Sequence, residues 1–162
     1  MPGTEPSVAT ATTARSPHIS YVVARLERAV RKEIGRLVGP RGLSVAQYTT
    51  LSILRSRSGL SNAQLARRLW VTPQSMNEVI SALERAGLIA RVPDAGNRRI
   101  LRTALTEHGR ETLEACDAEI LAMEDQMLLG VSPELQDQLV EALEGCARRI
   151  GALADERRHD LA

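Results

Sequence analysis

Ser61-Asn62-Ala63-Gln64-Leu65-Ala66-Arg67-Arg68-Leu69-Trp70-Val71-Thr72-Pro73-Gln74-Ser75-Met76-Asn77-Glu78-Val79-Ile80-Ser81-Ala82-Leu83-Glu84-Arg85-Ala86-Gly87 is the stretch on which the fold turns. Ser61 followed by Gln64 has the form of a capping box that opens a short helix. Leu65, Ala66 and Leu69 recur at helical spacing and give that helix one apolar face. Trp70-Val71 breaks it. Thr72 is then a suitable N-cap for a second helix, and Pro73 stands at its first position, where a missing N–H costs nothing. Gly87 supplies the C-terminal stop. A short helix, a tight turn and a longer capped helix make a helix-turn-helix.

The second helix divides into two faces. At roughly 100° per residue, Met76, Val79, Ile80 and Leu83 fall on one arc and need a core to cover them. Gln74, Glu78, Ser81 and Arg85 lie opposite, flanked by Ser75 and Asn77. Amide and hydroxyl side chains near a helix N-terminus are the chemistry that reads base edges in a major groove. An ordinary amphipathic helix has the same two faces, so the neighbouring residues decide.

Leu88-Ile89-Ala90-Arg91-Val92 and Ile100-Leu101-Arg102-Thr103-Ala104-Leu105 follow, with Leu101, Thr103 and Leu105 alternating as one strand face does. Between them, Pro93-Asp94-Ala95-Gly96-Asn97-Arg98-Arg99 is a loop by its Pro, Asp, Gly and Asn. The segment reads as a β-hairpin tipped by two arginines. Alone, an arginine pair is a solvated tip; beside a helix-turn-helix it is a wing that reaches phosphates or a minor groove.

Charge separates along the chain in the same sense. Residues 44–106 hold nine Arg against three acidic side chains, and 18–43 hold six basic against two acidic. Residues 107–162 hold fourteen acidic against five basic, so the net charge of +1 hides a basic lobe suited to a polyanion. No apolar run approaches the ~20 residues of a membrane span, and the first residues lack the pattern of a signal peptide. Residues 1–16, rich in Thr, Ala, Ser and Pro, read as a disordered tail. His18, His108 and His159 are scattered, and no Cys-x-x-Cys, His-Glu-x-x-His, phosphate loop or nucleophile elbow is present. Neither an enzyme, nor a metal site, nor a cofactor is expected.

Outside the core, 17–43 contains a helix carrying Ile19, Val22, Val23, Leu26, Val30, Ile34 and Leu37 at helical spacing, ended by Gly39-Pro40-Arg41-Gly42. Ser44 with Gln47 caps another helix running to about Arg57. In 107–162, Thr106 caps a long helix, and Ser132-Pro133 opens a last one with Leu135, Leu139, Leu143, Cys146, Ile150 and Leu153 as a near-heptad stripe. The result is a mainly α winged helix of α+β type: six helices with a two-stranded β-wing. Residues 44–106 form the DNA-binding unit, with long terminal helices left over to pair.

The run 51–109 resembles the core of the MarR family of bacterial winged helix-turn-helix transcription regulators. The resemblance is carried by Leu65-Ala66 with Leu69, Val71-Thr72-Pro73, Leu83-Glu84-Arg85-Ala86-Gly87-Leu88-Ile89, Arg91, Asp94, Asn97-Arg98-Arg99 and Leu105-Thr106-Glu107-His108-Gly109. Two positions depart from the family pattern: Asn97 stands where Asp is usual, and Glu78 where Arg is frequent. The resemblance implies a cytoplasmic, nucleoid-associated homodimer with interleaved termini on a palindromic operator, acting as a repressor. It also implies a small aromatic or phenolic ligand in a cleft between the dimerisation helices and the winged domain. Tyr48 is the aromatic residue nearest such a cleft, with Tyr21 and Arg25 as companions.

Within this reading, Arg67, Arg68 and the Ser61 cap meet phosphates. Thr72, Gln74, Ser75, Asn77 and Glu78 form the reading end, and Arg98 and Arg99 enter or flank the minor groove. A redox alternative rests on Cys116 and Cys146. Both lie on apolar stripes, which suggests burial, and an antiparallel turn near Val131 would bring them to one height. A third reading is a winged-helix module that binds protein.

Overall fold

The computed structural model describes residues 18–159, with side chains as far as Ala152. The tail 1–16 and the Leu153 side chain lie outside the described residues. The chain runs α1 (Ile19–Val38), a 3₁₀ turn (Gly39–Arg41), α2 (Val45–Ser56), α3 (Asn62–Arg68), α4 (Pro73–Arg85), β1 (Ile89–Pro93), β2 (Leu101–Leu105), α5 (Glu107–Met127) and α6 (Pro133–His159). Six helices and one two-stranded sheet are the architecture expected.

Local chemistry sets most of these boundaries. Ser44 and Gln47, and again Ser61 and Gln64, form complete capping boxes at α2 and α3. Thr72 accepts the Ser75 N–H at the start of α4, and Thr106 accepts the Gly109 N–H at the start of α5. Gly87, at φ 70°, takes the left-handed conformation that closes α4, and the Leu88 N–H then returns to the Leu83 carbonyl.

The core forms where α2, α3, α4, the sheet and α5 converge. Leu51, Leu54, Leu65, Met76, Ile80, Leu83 and Leu113 are its largest fully enclosed side chains. Each such side chain stabilises the fold by about 1.5–3 kcal/mol relative to exposure. Met76, Ile80 and Leu83 therefore lock the roll of α4, since turning it would expose three of them at once. Val79, expected on the same arc, is half-buried at its edge.

The hairpin pairs Ile89 with Leu105 and Pro93 with Leu101, in antiparallel register. It is anchored by a contact absent from the sequence reading. Leu60 bridges Thr103, whose N–H reaches the Leu60 carbonyl at 3.0 Å, while the Gly59 N–H reaches the Thr103 carbonyl at 2.9 Å. The segment ahead of α3 is thereby stitched to β2. Of the alternating face, Thr103 is buried and Leu105 half-buried, whereas Leu101 is exposed near the wing tip.

The terminal helices behave differently. α1 packs its C-terminal half on α2 and α5, burying Leu37 and Val38, but Ile19, Tyr21, Val22, Val23 and Leu26 are exposed. α6 is not packed along α5, and Leu135, Leu139, Val140, Leu143 and Ile150 are exposed. Burial of both cysteines was expected from their stripes. Cys116 is buried in α5, but Cys146 is exposed, because the stripe it belongs to has no cover within one chain.

Candidate nucleic-acid interface

With one side of α4 sealed into the core, the other is held out. Gln74, Ser75, Asn77 and Glu78 are all exposed. The start of the helix is stiffened twice. The Thr72 hydroxyl accepts the Ser75 N–H at 3.1 Å and donates to the Ser75 hydroxyl at 3.0 Å. The Asn62 amide, at the start of α3, donates to the Pro73 carbonyl at 3.0 Å and so sets the angle between the two helices. Asn62 escaped the sequence reading, because nothing in its neighbours announces a contact eleven residues away. Glu78 forms no ion pair with Arg85 or Arg99 among the described residues; Glu84 instead pairs with Arg91 and ties α4 to β1.

Arg67 and Arg68 close α3 in exposed positions and make no ion pair with any described residue. A cation in a last turn also suits the helix dipole, so these two have a structural use in the isolated chain. Ser61 is occupied differently. Its hydroxyl accepts the Gln64 N–H and its own N–H is accepted by the Gln64 side chain, so both groups serve the cap.

The wing is tied down from within. The Asp94 carboxylate accepts the N–H groups of Gly96 and Asn97, each at 3.0 Å, and the Arg102 Nε at 2.7 Å. Arg102 continues to the Gly59 carbonyl and the Gln64 side chain, both at 3.3 Å. One arginine thus joins the wing tip to the capping box of α3. Arg102 beside Asp94, chiefly, with the two backbone N–H groups, holds the Asp94 carboxyl below the usual carboxylate range. The Asn97 side chain accepts the Arg99 N–H at 3.1 Å, so the residue that departs from the family pattern shapes the turn that carries Arg98 and Arg99. Both arginines are exposed. The sequence reading missed Arg102; its diagonal relation to Asp94 becomes visible only once the strand register is known.

The remaining expected residues are not brought together. Tyr48 is buried on α2, which raises its phenol above the usual range, while Tyr21 and Arg25 are exposed on α1. Neither of the two best-formed cavities is lined by any of the three. Cys116 donates to the Thr112 carbonyl at 3.3 Å, and burial pushes its thiol up; Cys146 lies 3.9 Å from an Arg149 nitrogen. The two thiols are free and unpaired with each other. No group of three or more His, Cys, Asp or Glu side chains that could hold a metal occurs among the described residues, and none of their helices is long and apolar enough to cross a membrane.

A capped two-helix reader and an arginine-tipped hairpin on one core define a winged helix-turn-helix protein. The MarR family profile matches residues 43–101. The HTH-type transcriptional repressor Rv2887 of Mycobacterium tuberculosis is 32% identical over 126 residues, covering 78% of this chain and 91% of the relative. The structure of Rv2887 in complex with DNA superposes with a TM-score of 0.64 at 32% identity, covering 80% of this chain and 98% of that one. Its complex with salicylic acid gives 0.65 at 32% identity, covering 82% and 98%. CouR from Rhodococcus jostii RHA1, bound to p-coumaroyl-CoA, gives 0.75 at 24% identity over 84% and 96%, a likeness of fold. The chain belongs to the MarR family of transcription regulators.

Proposed function

We propose that this chain is a dimeric, sequence-specific DNA-binding repressor whose hold on a palindromic operator is loosened by a small aromatic anion. The observation that carries the reading is the division of α4. Met76, Ile80 and Leu83 are sealed into the core, while Gln74, Ser75, Asn77 and Glu78 face outward beside the exposed wing arginines. The relative named as a repressor, with structures in complex with DNA and with salicylic acid, supports it.

In this reading Gln74, Ser75, Asn77 and Glu78 meet base edges, an amide to adenine being the natural pair and Glu78 accepting from a cytosine amine. Arg67 and Arg68 meet phosphates, and Arg98 and Arg99 approach the minor groove. Residues 44–106 are the reader, and 17–43 with 107–162 are the dimerisation arms. Dimerisation covers the apolar faces left bare on α1 and α6 and sets two readers about 34–36 Å apart on one face of the duplex. Tyr21 and Arg25, exposed on α1, would then face the second copy close to the effector cleft. The protein works on the nucleoid, in the cytoplasm of a bacterium.

The test is selection of bound sites from random duplexes, repeated with salicylate. A palindromic consensus that salicylate depletes is the expected outcome. Recovery of unselected sequence, or binding insensitive to salt, refutes the reading.

A further inference from the structure

We propose that the space between the end of α3 and the C-terminal half of α6 binds a flat aromatic carboxylate, and that this ligand competes with operator phosphate for Arg67 and Arg68. The second half of the proposal rests on the assignment of those arginines to DNA. The cavity measures about 520 Å³, within the range of small-molecule sites. On one side it is lined by Arg67, Arg68 and Trp70, and on the other by Ala147, Arg148 and Gly151.

The walls select a chemistry. Trp70 offers an indole, Ala147 and Gly151 offer a small apolar floor, and three guanidinium side chains surround them. A flat ring fits against the indole and a carboxylate takes the planar, paired hydrogen bonds of arginine. A neutral ring would leave the guanidiniums unused, and a small inorganic anion would leave the indole unused. Arg67 and Arg68 have no ion-pair partner among the described residues, and Arg148 has only Glu144 of its own helix, at 3.4 Å.

The backbone on both sides is adapted to this juxtaposition. Trp70 is the one non-glycine residue with positive φ among those described, at 56°, a conformation uncommon for an aromatic side chain. Gly151 faces the ring so closely that a Cβ there would lie 2.7 Å from the indole Cη2. The left-handed turn presents the indole to α6, and α6 has a glycine where the indole arrives. The exposed ridge of Leu139, Leu143 and Ile150 remains available to a second copy.

Trp70 is the single tryptophan of the chain and reports on its own site. The experiment titrates the full-length protein with 2-naphthoate and, separately, with 2-naphthalenemethanol, following Trp70 emission, and measures DNA affinity at each naphthoate concentration. Saturable quenching by naphthoate, at least about tenfold tighter than by the alcohol, is expected from a charge-assisted bond. Apparent DNA affinity should fall in proportion to naphthoate once the site is saturating. Arg148→Gln and Ala147→Leu should each weaken naphthoate about tenfold while leaving DNA affinity without naphthoate unchanged.

Naphthoate binding untouched by both variants places the ligand elsewhere and overturns the assignment. Naphthoate and DNA bound together overturn the shared arginines. Emission that shifts with protein concentration and not with naphthoate would show a second copy filling the space, and overturns it too. If the protein binds naphthoate but no DNA at any salt, the proposed function fails and the cavity assignment stands.

Discussion

Gly109 occupies the first turn of α5 directly against β1, and a Cβ on it would lie 1.9 Å from the Leu88 carbonyl oxygen. That oxygen cannot retreat freely, because it accepts the Thr106 N–H at 3.1 Å. Gly109→Ala should therefore destabilise the protein by about 3 kcal/mol, the upper end of ordinary overpacking, measured by denaturant melts. An unchanged midpoint would contradict the packing. Asn77→Ala should cost ~1–3 kcal/mol on the best operator and relax preference at one base pair, read by repeating the site selection.

Asp94 makes a prediction with a sign. Its folded carboxyl titrates below the unfolded value of roughly 3.9, so its contribution is present above that value and fades as pH falls through the folded one. Protection of the Gly96 and Asn97 amides from hydrogen exchange should persist from neutral pH down to about pH 4 and be lost below it. Asp94→Ala should abolish that protection at pH 7. Equal protection in the variant would mean that the wing is held by something else.

At the scale of elements, the caps were legible because they are local. Ser44 with Gln47, Ser61 with Gln64, Thr72 and Thr106 each bond to a backbone group three residues on, so a short window contains the whole interaction. Asn62 to Pro73, Leu60 to Thr103 and Arg102 to Gly59 span eleven to forty-three residues and cannot be seen in such a window. These non-local bonds orient the reader and the wing relative to one another. Thr72→Ala should cost about 1 kcal/mol of stability through the lost cap. Arg67→Ala should weaken binding to all DNA sequences alike and lower the salt slope by about one unit, measured by salt titration of matched and random duplexes. A sequence-dependent loss would move Arg67 from phosphate to base.

At the scale of the molecule, the unresolved demand is apolar. Leu139 and Leu143 on α6 and Val22 and Leu26 on α1 are exposed in the single chain, far more contiguous apolar surface than a monomer ordinarily shows to water. Sedimentation should find a dimer at micromolar concentration, and Leu139→Glu with Leu143→Glu should give a folded monomer with much weaker operator binding. A wild-type monomer under those conditions would remove the twofold arrangement from the proposed mechanism.

Helical period, cap chemistry and turn residues determined from sequence alone that six helices and a hairpin form, and that α4 has a buried and a polar side. These are interactions within a few residues, with energies set by side-chain type. Only the tertiary structure decided how Arg102 braces the wing, that Cys146 is exposed while Cys116 is enclosed, and that α6 approaches Trp70 and does not lie along α5. Those outcomes depend on which surfaces meet when the chain closes on itself, and residues of identical local pattern are separated only by what packs over them.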